Sequence, residues 1–277
     1  MQKILIADDD RATRQILRQA LVGAGFSVSL AADGKAALRH LRKAKFDFML
    51  LDVWMPGLNG LELLAQIRSI ASPPRVTVMT SDRTPDTLLR AVKEQAYRFI
   101  RKPLEPGEVV ELVQQALSGE SAVLPIEVLS ARPHWVELLI PCERLAADRV
   151  QEFLNHLEID LPDDIRNSIG QAFHELLLNA VEWGGKWDPN RKVRISCVRL
   201  QRLLIYRISD PGPGFRFEDL KHAAISNPEG DPLAHLAERE KKALRPGGLG
   251  LLMTRQIVDD LVYNEAQNEV MFVKYLS

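Results

Sequence analysis

Five polar groups in the first half of the chain stand where predicted strands end. Asp8 and Asp9 end the first apolar run, Asp52 ends the third, Thr80 ends the fourth, and Lys102 follows the fifth. Because the carboxyl ends of parallel strands meet at one edge of a sheet, we expect these groups to converge there. Three carboxylates in one pocket repel one another, and a hard cation with oxygen ligands, for which Mg²⁺ is the candidate, would neutralise them. With that metal bound, one carboxylate becomes a nucleophile that can accept a phosphoryl group.

A second group of candidate residues lies in the other half of the chain. On a helix predicted over Asp163–Trp183, Glu175 and Asn179 share one polar stripe because of their helical spacing. Later, an apolar strand ends in the sequence DPGPG at 210–214, and GGLG at 247–250 opens a further helix. Glycines at a helix N-terminus let phosphate groups approach free backbone N–H groups. These three elements in this order predict a site for a phosphate-bearing ligand.

The elements that must position the first pocket follow from the apolar pattern. Short apolar runs alternate with amphipathic helical patterns from the strand Lys3–Ala7 to the helix Val109–Leu117. Five such units predict an α/β domain with a doubly wound, five-stranded parallel sheet covered on both faces.

This alternation of strands and helices ends in a stretch that is rich in Ser, Gly and Pro residues. We therefore predict a first domain at 1–118, a linker at 119–133 and a second domain at 134–277. A strand at Val123–Leu129 that docks on a domain is an alternative to a plain linker. The second domain has the pattern of a mixed α+β layer, with a helix at Leu251–Leu261 and a last strand at Glu269–Tyr275.

Length and composition limit the classes of function. A chain of 277 residues exceeds one ordinary core and favours two domains. The net charge of -1 offers no general attraction to nucleic acid or to an anionic membrane. Cys142 and Cys197 lack metal-ligand spacing and are expected as reduced core residues. Neither a signal peptide nor a long apolar run is recognisable, so a cytoplasmic protein is expected.

The first domain resembles a response-regulator receiver domain. Four motifs carry the resemblance: ADDD at 7–10, LDVWMPGLNG at 51–60, MTS at 79–81 and KPL at 102–104. The resemblance implies a flavodoxin-like fold in which Asp52 accepts phosphate from an upstream histidine kinase. It also implies that Mg²⁺ is held by Asp8, Asp9, Asp52 and the backbone carbonyl of Trp54.

The same resemblance assigns roles to three further residues. Thr80 and Lys102 would contact the phosphoryl oxygens as a hydroxyl donor and a cation. The Lys102-Pro103 bond would be cis. Phe99 would be the switch aromatic, where many relatives carry Tyr; an ordinary core side chain is the alternative.

The second domain resembles the GHKL ATPases, whose N box and two glycine boxes occur in this order. The resemblance implies a Bergerat-type ATP-binding sandwich in which Glu175 is the general base and Asn179 binds Mg²⁺. Asp210 would recognise the adenine amino group, and an ATP lid would span residues 215–246. Arg245 in that lid would reach the terminal phosphate, or else be a solvated arginine. The glycines that would shape the nucleotide pocket are Gly212, Gly214, Gly248 and Gly250.

Within this superfamily, the order of elements favours the anti-sigma-factor serine kinases. A histidine kinase needs a two-helix hairpin before the N box, and the segment before Asp163 has room for only a strand and one helix. The ending GGLGLLMTRQIVDDLVY is similar to that branch as well. In that branch the partners are a STAS-domain antagonist, phosphorylated on Ser or Thr, and often a sigma factor.

The resulting hypothesis is a serine/threonine protein kinase of the partner-switching type. Phosphorylation of Asp52 would control it, either by activating or by inhibiting the kinase domain. One alternative is a nucleotide-binding module that sequesters a partner without useful phosphotransfer. Another is a hybrid histidine kinase with a phosphohistidine at His134 or His156. A homodimer is expected by resemblance, and no direct nucleic-acid or membrane partner is expected.

Overall fold

The computed structural model describes residues 1–81, 84–118, 126–132, 134–158, 160–216, 224, 227, 231, 233–241 and 249–276. The chain divides into two compact units, Met1–Val123 and Leu124–Ser277. Two predicted nucleotide-site residues, Arg245 and Gly248, lie outside the described residues, as does most of the predicted lid.

The first unit contains a five-stranded parallel sheet with the strand order β2-β1-β3-β4-β5. The central strand β3 is buried at every position, as a strand covered on both faces should be. The predicted doubly wound α/β fold is confirmed. The strands are Lys3–Ala7 (β1), Ser27–Ala31 (β2), Phe48–Asp52 (β3), Arg75–Thr80 (β4) and Arg98–Arg101 (β5). The helices are Arg11–Gly23 (α1), Gly34–Lys43 (α2), Gly60–Ile67 (α3), Pro85–Lys93 (α4) and Pro106–Ser118 (α5).

Two helix caps fix the loops that leave the sheet edge. The Asp10 side chain accepts hydrogen bonds from the backbone N–H groups of Ala12 and Thr13 and starts α1 just after β1. At α3, Asn59 and Glu62 form a capping box, each side chain accepting from the other's backbone N–H. These caps fix the starts of α1 and α3, the helices that follow the strands carrying Asp8 and Asp52.

The second unit contains a six-stranded sheet with the order β10-β11-β9-β8-β7-β6, in which every neighbouring pair is antiparallel. The strands are Glu127–Arg132 (β6), Trp135–Pro141 (β7), Lys192–Leu200 (β8), Leu203–Ser209 (β9), Asp260–Tyr263 (β10) and Glu269–Tyr275 (β11). The described helices are Arg144–Leu157 (α6), Asp163–Asn179 (α7), Ala234–Lys241 (α8) and Gly250–Ile257 (α9). An antiparallel sheet with helices agrees with the predicted α+β class.

The core of this unit lies between the sheet and α7. Phe173 on α7 contacts Tyr206 on β9, with their ring centroids 5.5 Å apart, and Tyr206 stacks on Phe272 of β11 at 4.9 Å. All three side chains are almost fully buried. Their large apolar area anchors α7, the helix that carries Glu175 and Asn179, to the sheet.

Three elements differ from the sequence prediction. The helix predicted to reach Leu261 ends at Ile257, because Val258 is extended and residues 260–263 pair with β11 as β10. The Asp259 side chain accepts a hydrogen bond from the Tyr275 N–H (2.7 Å), which ties the start of this strand to β11. The helix predicted over Asp163–Trp183 ends as an α-helix at Asn179 and continues as a π-helical turn, Ala180–Gly184. Residues 127–132, which lie within the predicted linker, form β6, and this strand overlaps the alternative strand at Val123–Leu129.

In the described part of the chain, none of the helices combines the length and apolarity that crossing a bilayer requires.

Candidate functional site

The three carboxylates of the first unit lie together at the carboxyl edge of its sheet. Asp8 and Asp52 are buried, at 0% and 3% exposure, whereas Asp9 is exposed. One oxygen from each of Asp8, Asp9 and Asp52 lies within 4.8 Å of the others. This all-oxygen set fits a hard divalent cation such as Mg²⁺.

Lys102 joins this cluster from the end of β5. Its Nζ lies 2.9 Å from Asp8 Oδ2 and 3.0 Å from Asp52 Oδ2. The Lys102-Pro103 bond is cis, as the resemblance to receiver domains implied. Thr80 at the end of β4 is fully buried. The five groups expected at one sheet edge thus stand at the strand ends that were predicted.

In this pocket, burial and charge pairing have opposite effects on the pKa values of Asp52 and Lys102. Burial raises the pKa of Asp52 above its ordinary value, although the hydrogen bond and charge of Lys102 oppose the rise. Burial lowers the pKa of Lys102, but hydrogen bonds to Asp8 and Asp52 outweigh this, and its pKa lies above its ordinary value. Lys102 therefore remains a cation facing an acidic pocket.

The Asp52 backbone is held by a glycine. A Cβ atom added to Gly60, at the start of α3, would lie 2.9 Å from the Asp52 carbonyl carbon. The Gly60 N–H also donates to the Val53 carbonyl at 2.9 Å. Gly60 is needed for this close approach.

A second supporting residue, Arg14, was missed by sequence reasoning. Its Nη1 donates to the Asp8 carbonyl at 2.6 Å. A basic residue one turn into α1 looks like an ordinary solvated side chain, so nothing in the sequence pointed to this bond.

The two aromatic candidates of this unit occupy different environments. Phe99 is buried on β5, where it pairs with Val78 of β4. Trp54 is 58% exposed.

In the second unit, the Glu175 side chain lies against the N-terminus of α9. A Cβ atom added to Gly250 would lie 2.8 Å from Glu175 Cδ and would overlap Oε2. Glu175 and Asn179 are both partly exposed on α7. The carboxylate therefore stands beside a glycine that opens a helix, where free backbone N–H groups can bind an anion.

Asp210 follows β9 and lies beside the end of the α7 segment. A Cβ atom added to Gly184 would lie 2.5 Å from Asp210 Cβ, so the carboxylate occupies the space that a side chain there would need. Its Oδ1 accepts a hydrogen bond from the Gly212 N–H at 2.7 Å. Burial raises the pKa of Asp210, opposed by this hydrogen bond and by the charge of Arg191.

The segment after Asn179 is irregular and packs closely. The turn Ala180–Gly184 is π-helical, a conformation found often at functional sites. At Gly185, an added Cβ would lie 2.6 Å from Cys142 Cβ. Cys142 is buried, and burial raises its pKa to about 11. The prediction of a reduced core residue agrees with this environment.

Of the described candidates of the second unit, Asn179 is partly exposed on α7 and Gly214 lies against Ala266. The other four form two groups, Glu175 with Gly250 and Asp210 with Gly212. Gly184, Arg191 and Asn268, which contact the second group, were missed. The pair Gly184-Gly185 directly after a polar helical stripe was the available signal for the first of these.

Both halves of the chain match described families. A family described as "Response regulator receiver domain" matches residues 4–114, and one described as "Histidine kinase-like ATPase domain" matches residues 142–274. Among curated proteins, the DNA-binding response regulator MtrA of Mycolicibacterium paratuberculosis is 30% identical over 210 residues, covering 76% of this chain and 91% of that protein. The DNA-binding transcriptional regulator NtrC of Azospirillum brasilense is 35% identical over 126 residues, covering 45% of this chain and 26% of that protein. The solved structure of the chemotaxis response regulator CheY4 of Vibrio cholerae is 30% identical with a TM-score of 0.40, covering 42% of this chain and 98% of that chain.

Proposed function

Because the chain belongs to the response regulators and carries a histidine kinase-like ATPase domain, we propose that it is an ATP-dependent serine/threonine protein kinase controlled by phosphorylation of Asp52. We do not propose for this chain the DNA binding that the names of MtrA and NtrC state, because residues 142–274 match an ATPase family.

The observation that carries the proposal is the contact between Glu175 and Gly250. A serine or threonine hydroxyl is a poor nucleophile until a base accepts its proton. The Glu175 carboxylate lies at the glycine-opened N-terminus of α9, where phosphate groups would bind. In this proposal the base and the phosphate site are therefore adjacent.

In this mechanism each residue has one task. Mg-ATP, when bound, supplies the phosphoryl group. Glu175 takes the proton from the incoming hydroxyl, whose oxygen forms the new bond to phosphorus while ADP leaves. The Asn179 side-chain oxygen would hold Mg²⁺, and Asp210 would accept a hydrogen bond from the adenine amino group.

In the receiver domain, an Asp52 oxygen would take a phosphoryl group from the phosphohistidine of an upstream kinase. Asp8, Asp9, Asp52 and the Trp54 carbonyl would hold Mg²⁺, which neutralises the carboxylates. Lys102 would contact the phosphoryl oxygens directly, since its ammonium already lies 3.0 Å from Asp52. Thr80 would donate its hydroxyl.

The order of elements before α7 favours serine/threonine over histidine specificity. Among the described residues from 126 to 162, the structure has two strands and one helix, α6, rather than a two-helix hairpin. His156 lies near the end of α6, with its Nδ1 2.7 Å from the Glu152 carbonyl. The resemblance to anti-sigma-factor kinases then points to a STAS-domain antagonist as substrate, with a sigma factor as the competing partner.

A phosphotransfer assay tests the proposal. The full-length protein is incubated with Mg²⁺, radiolabelled ATP and the STAS-domain proteins of the same genome, and phosphoserine or phosphothreonine is detected. Glu175→Gln is expected to lower the rate about 10²- to 10⁴-fold. The matched control is Asp164→Asn, which removes an exposed carboxylate from the first turn of the same helix.

An undiminished rate in Glu175→Gln would show that the assigned base is wrong. Tight partner binding with nucleotide bound but no transfer would instead identify a sequestering module. An acid-labile product on His134 or His156 would identify a histidine kinase.

A further inference from the structure

The turn that joins β10 to β11 lies against the loop that carries Asp210. The Asp210 N–H donates to the Asn268 carbonyl at 2.8 Å. The Asn268 side-chain Nδ2 donates to the Gly212 carbonyl at 3.1 Å. One residue of the turn therefore holds both ends of the Asp210-Pro-Gly212 segment.

The contact continues at Gly214. Its φ of +83° lies in the region that glycine adopts at no steric cost. A Cβ atom there would lie 2.6 Å from the Ala266 carbonyl carbon. The loop that carries Gly214 therefore lies too close to the β10–β11 turn to admit a side chain at that position.

The turn is itself fixed, so it can act as a support. The Asn264 Oδ1 accepts hydrogen bonds from the N–H groups of Asn268 and Glu269, both at 3.1 Å. The Asn264 Nδ2 donates to the Asn268 Oδ1 at 2.8 Å, which leaves the Asn268 Nδ2 directed at Gly212. On the other side of the loop, Arg191 donates to the Pro211 carbonyl.

These bonds determine where the Asp210 carboxylate can point. Its Oδ1 accepts from the Gly212 N–H, so Oδ2 is the oxygen that would accept from an incoming amino group. A hydrogen bond to a nucleobase needs donor and acceptor within about 3 Å and well aligned. A shift of the loop by a fraction of that distance would weaken this one bond while leaving phosphate contacts elsewhere intact.

We propose that Asn268 is a positioning residue that holds Asp210 for recognition of the adenine amino group and thereby sets selectivity among purine nucleotides. This inference rests on the proposed function, because it assumes that residues 142–274 bind an adenine nucleotide.

The test compares two ligands that differ only in the group to be recognised. Dissociation constants are measured by calorimetry on the full-length protein for ADP and for purine riboside 5′-diphosphate, which lacks the exocyclic amino group. Wild type should prefer ADP. Asn268→Asp keeps the side-chain shape but replaces the donor to Gly212 with an acceptor, and Asn268→Ala removes the side chain. Loss of one hydrogen bond predicts that both variants lose about 3- to 10-fold in ADP affinity, with little change for the other ligand.

The ratio of the two constants separates positioning from a general loss of stability. A merely structural role would weaken both ligands equally and leave the ratio unchanged, which would overturn the inference while the proposed function stood. The matched control is Asn155→Ala on α6, because the Asn155 amide is hydrogen-bonded to Gln151 within its own helix. The ratio of the two dissociation constants for this variant should equal that of wild type. Absence of binding of either ligand to wild type would overturn the proposed function and this inference together.

Discussion

The Glu175 carboxylate occupies the space that a Cβ atom on Gly250 would fill, so a side chain at position 250 would overlap it. Gly250 is needed here for space alone, whereas at Gly214 both the lack of space and a positive φ require glycine. The two glycines should therefore respond differently to substitution, since only Gly214 would also strain the backbone.

Gly250→Ala is expected to displace the Glu175 carboxylate without unfolding the protein. Alanine is a good residue at the start of a helix, so α9 should still form. Misplacing a catalytic group by about 1 Å can cost about 100-fold in rate. We expect kcat for phosphotransfer to fall by about that factor, measured alongside KM for ATP and the melting temperature.

Gly107→Ala is the control for this substitution. Gly107 also lies near the start of a helix, α5, and an added Cβ would meet nothing within 4 Å. It should leave kcat unchanged and stabilise the fold by about 0.4–1 kcal/mol. An unchanged kcat in Gly250→Ala would show that the contact with Glu175 has no catalytic consequence.

Removing the Lys102 ammonium should impair phosphorylation of Asp52. In Lys102→Met, the two carboxylates at 2.9 and 3.0 Å lose their cation, so burial and mutual repulsion raise the pKa of Asp52 further. Loss of a preorganised donor to the transferring group predicts a rate of phosphorylation by acetyl phosphate lower by about 10²-fold.

The control is Lys43→Met, which removes an exposed lysine from the end of α2. It should be phosphorylated at the wild-type rate. A Lys102→Met protein that is phosphorylated normally would exclude a phosphoryl-binding role for this lysine.

Mg²⁺ should stabilise the receiver domain through the three carboxylates. A ligand present at 100 times its dissociation constant adds about 2.7 kcal/mol to the free energy of unfolding. We expect Mg²⁺ to raise the melting temperature of wild type, and Asp9→Asn to weaken the apparent affinity by about tenfold because one ligand charge is lost. Asp47→Asn, which changes an exposed carboxylate of the same domain away from the cluster, is the control. Equal Mg²⁺ affinity in Asp9→Asn would remove Asp9 from the ligand set.

The receiver pocket could be predicted from the sequence because its position depends on local pattern alone. Each of Asp8, Asp52 and Lys102 follows an apolar run, and parallel topology brings strand ends together whatever the details of packing. Predicting the pocket therefore required only the positions of the strand ends and the order of the strands.

The supports of the second site could not be predicted in the same way. Asn268 reaches Gly212 only because β11 pairs with β9, a contact between residues 56 positions apart in the chain. The strand β10 was missed for a similar reason, since the residues after Ile257 carry a helical apolar spacing that pairing with β11 overrides. Long-range pairing leaves no periodic signal in the segment that it reorganises.

The buried carboxylate of Glu158 makes a last prediction, on the pH dependence of stability. Glu158 is 2% exposed, and its oxygens lie 3.2 Å from both the Tyr206 hydroxyl and Arg199 Nη1. Burial raises the pKa of Glu158 above its ordinary value, against the charge of Arg199. A carboxyl whose folded-state pKa is raised contributes stability that is present at low pH and is lost as the pH rises through that pKa. Glu158→Gln replaces this carboxyl with an amide that does not ionise. Wild type loses stability as the pH rises above about 4.5, the ordinary pKa, so the free energy of unfolding of the variant relative to wild type should increase over that range.

Asp160 binds the same arginine and provides a control, because its pKa shift, and hence its effect on the pH dependence of stability, has the opposite sign. Two hydrogen bonds from Arg199, at 2.8 and 2.6 Å, lower the pKa of Asp160. Its contribution is therefore present above the ordinary pKa of 3.8 and is lost as the pH falls through the lowered value. Urea unfolding of wild type, Glu158→Gln and Asp160→Asn between pH 3 and pH 8 should give difference curves that slope in opposite directions. Parallel curves would mean that burial does not govern the ionisation of Glu158, because a carboxylate stabilised mainly by Arg199 would behave as Asp160 does.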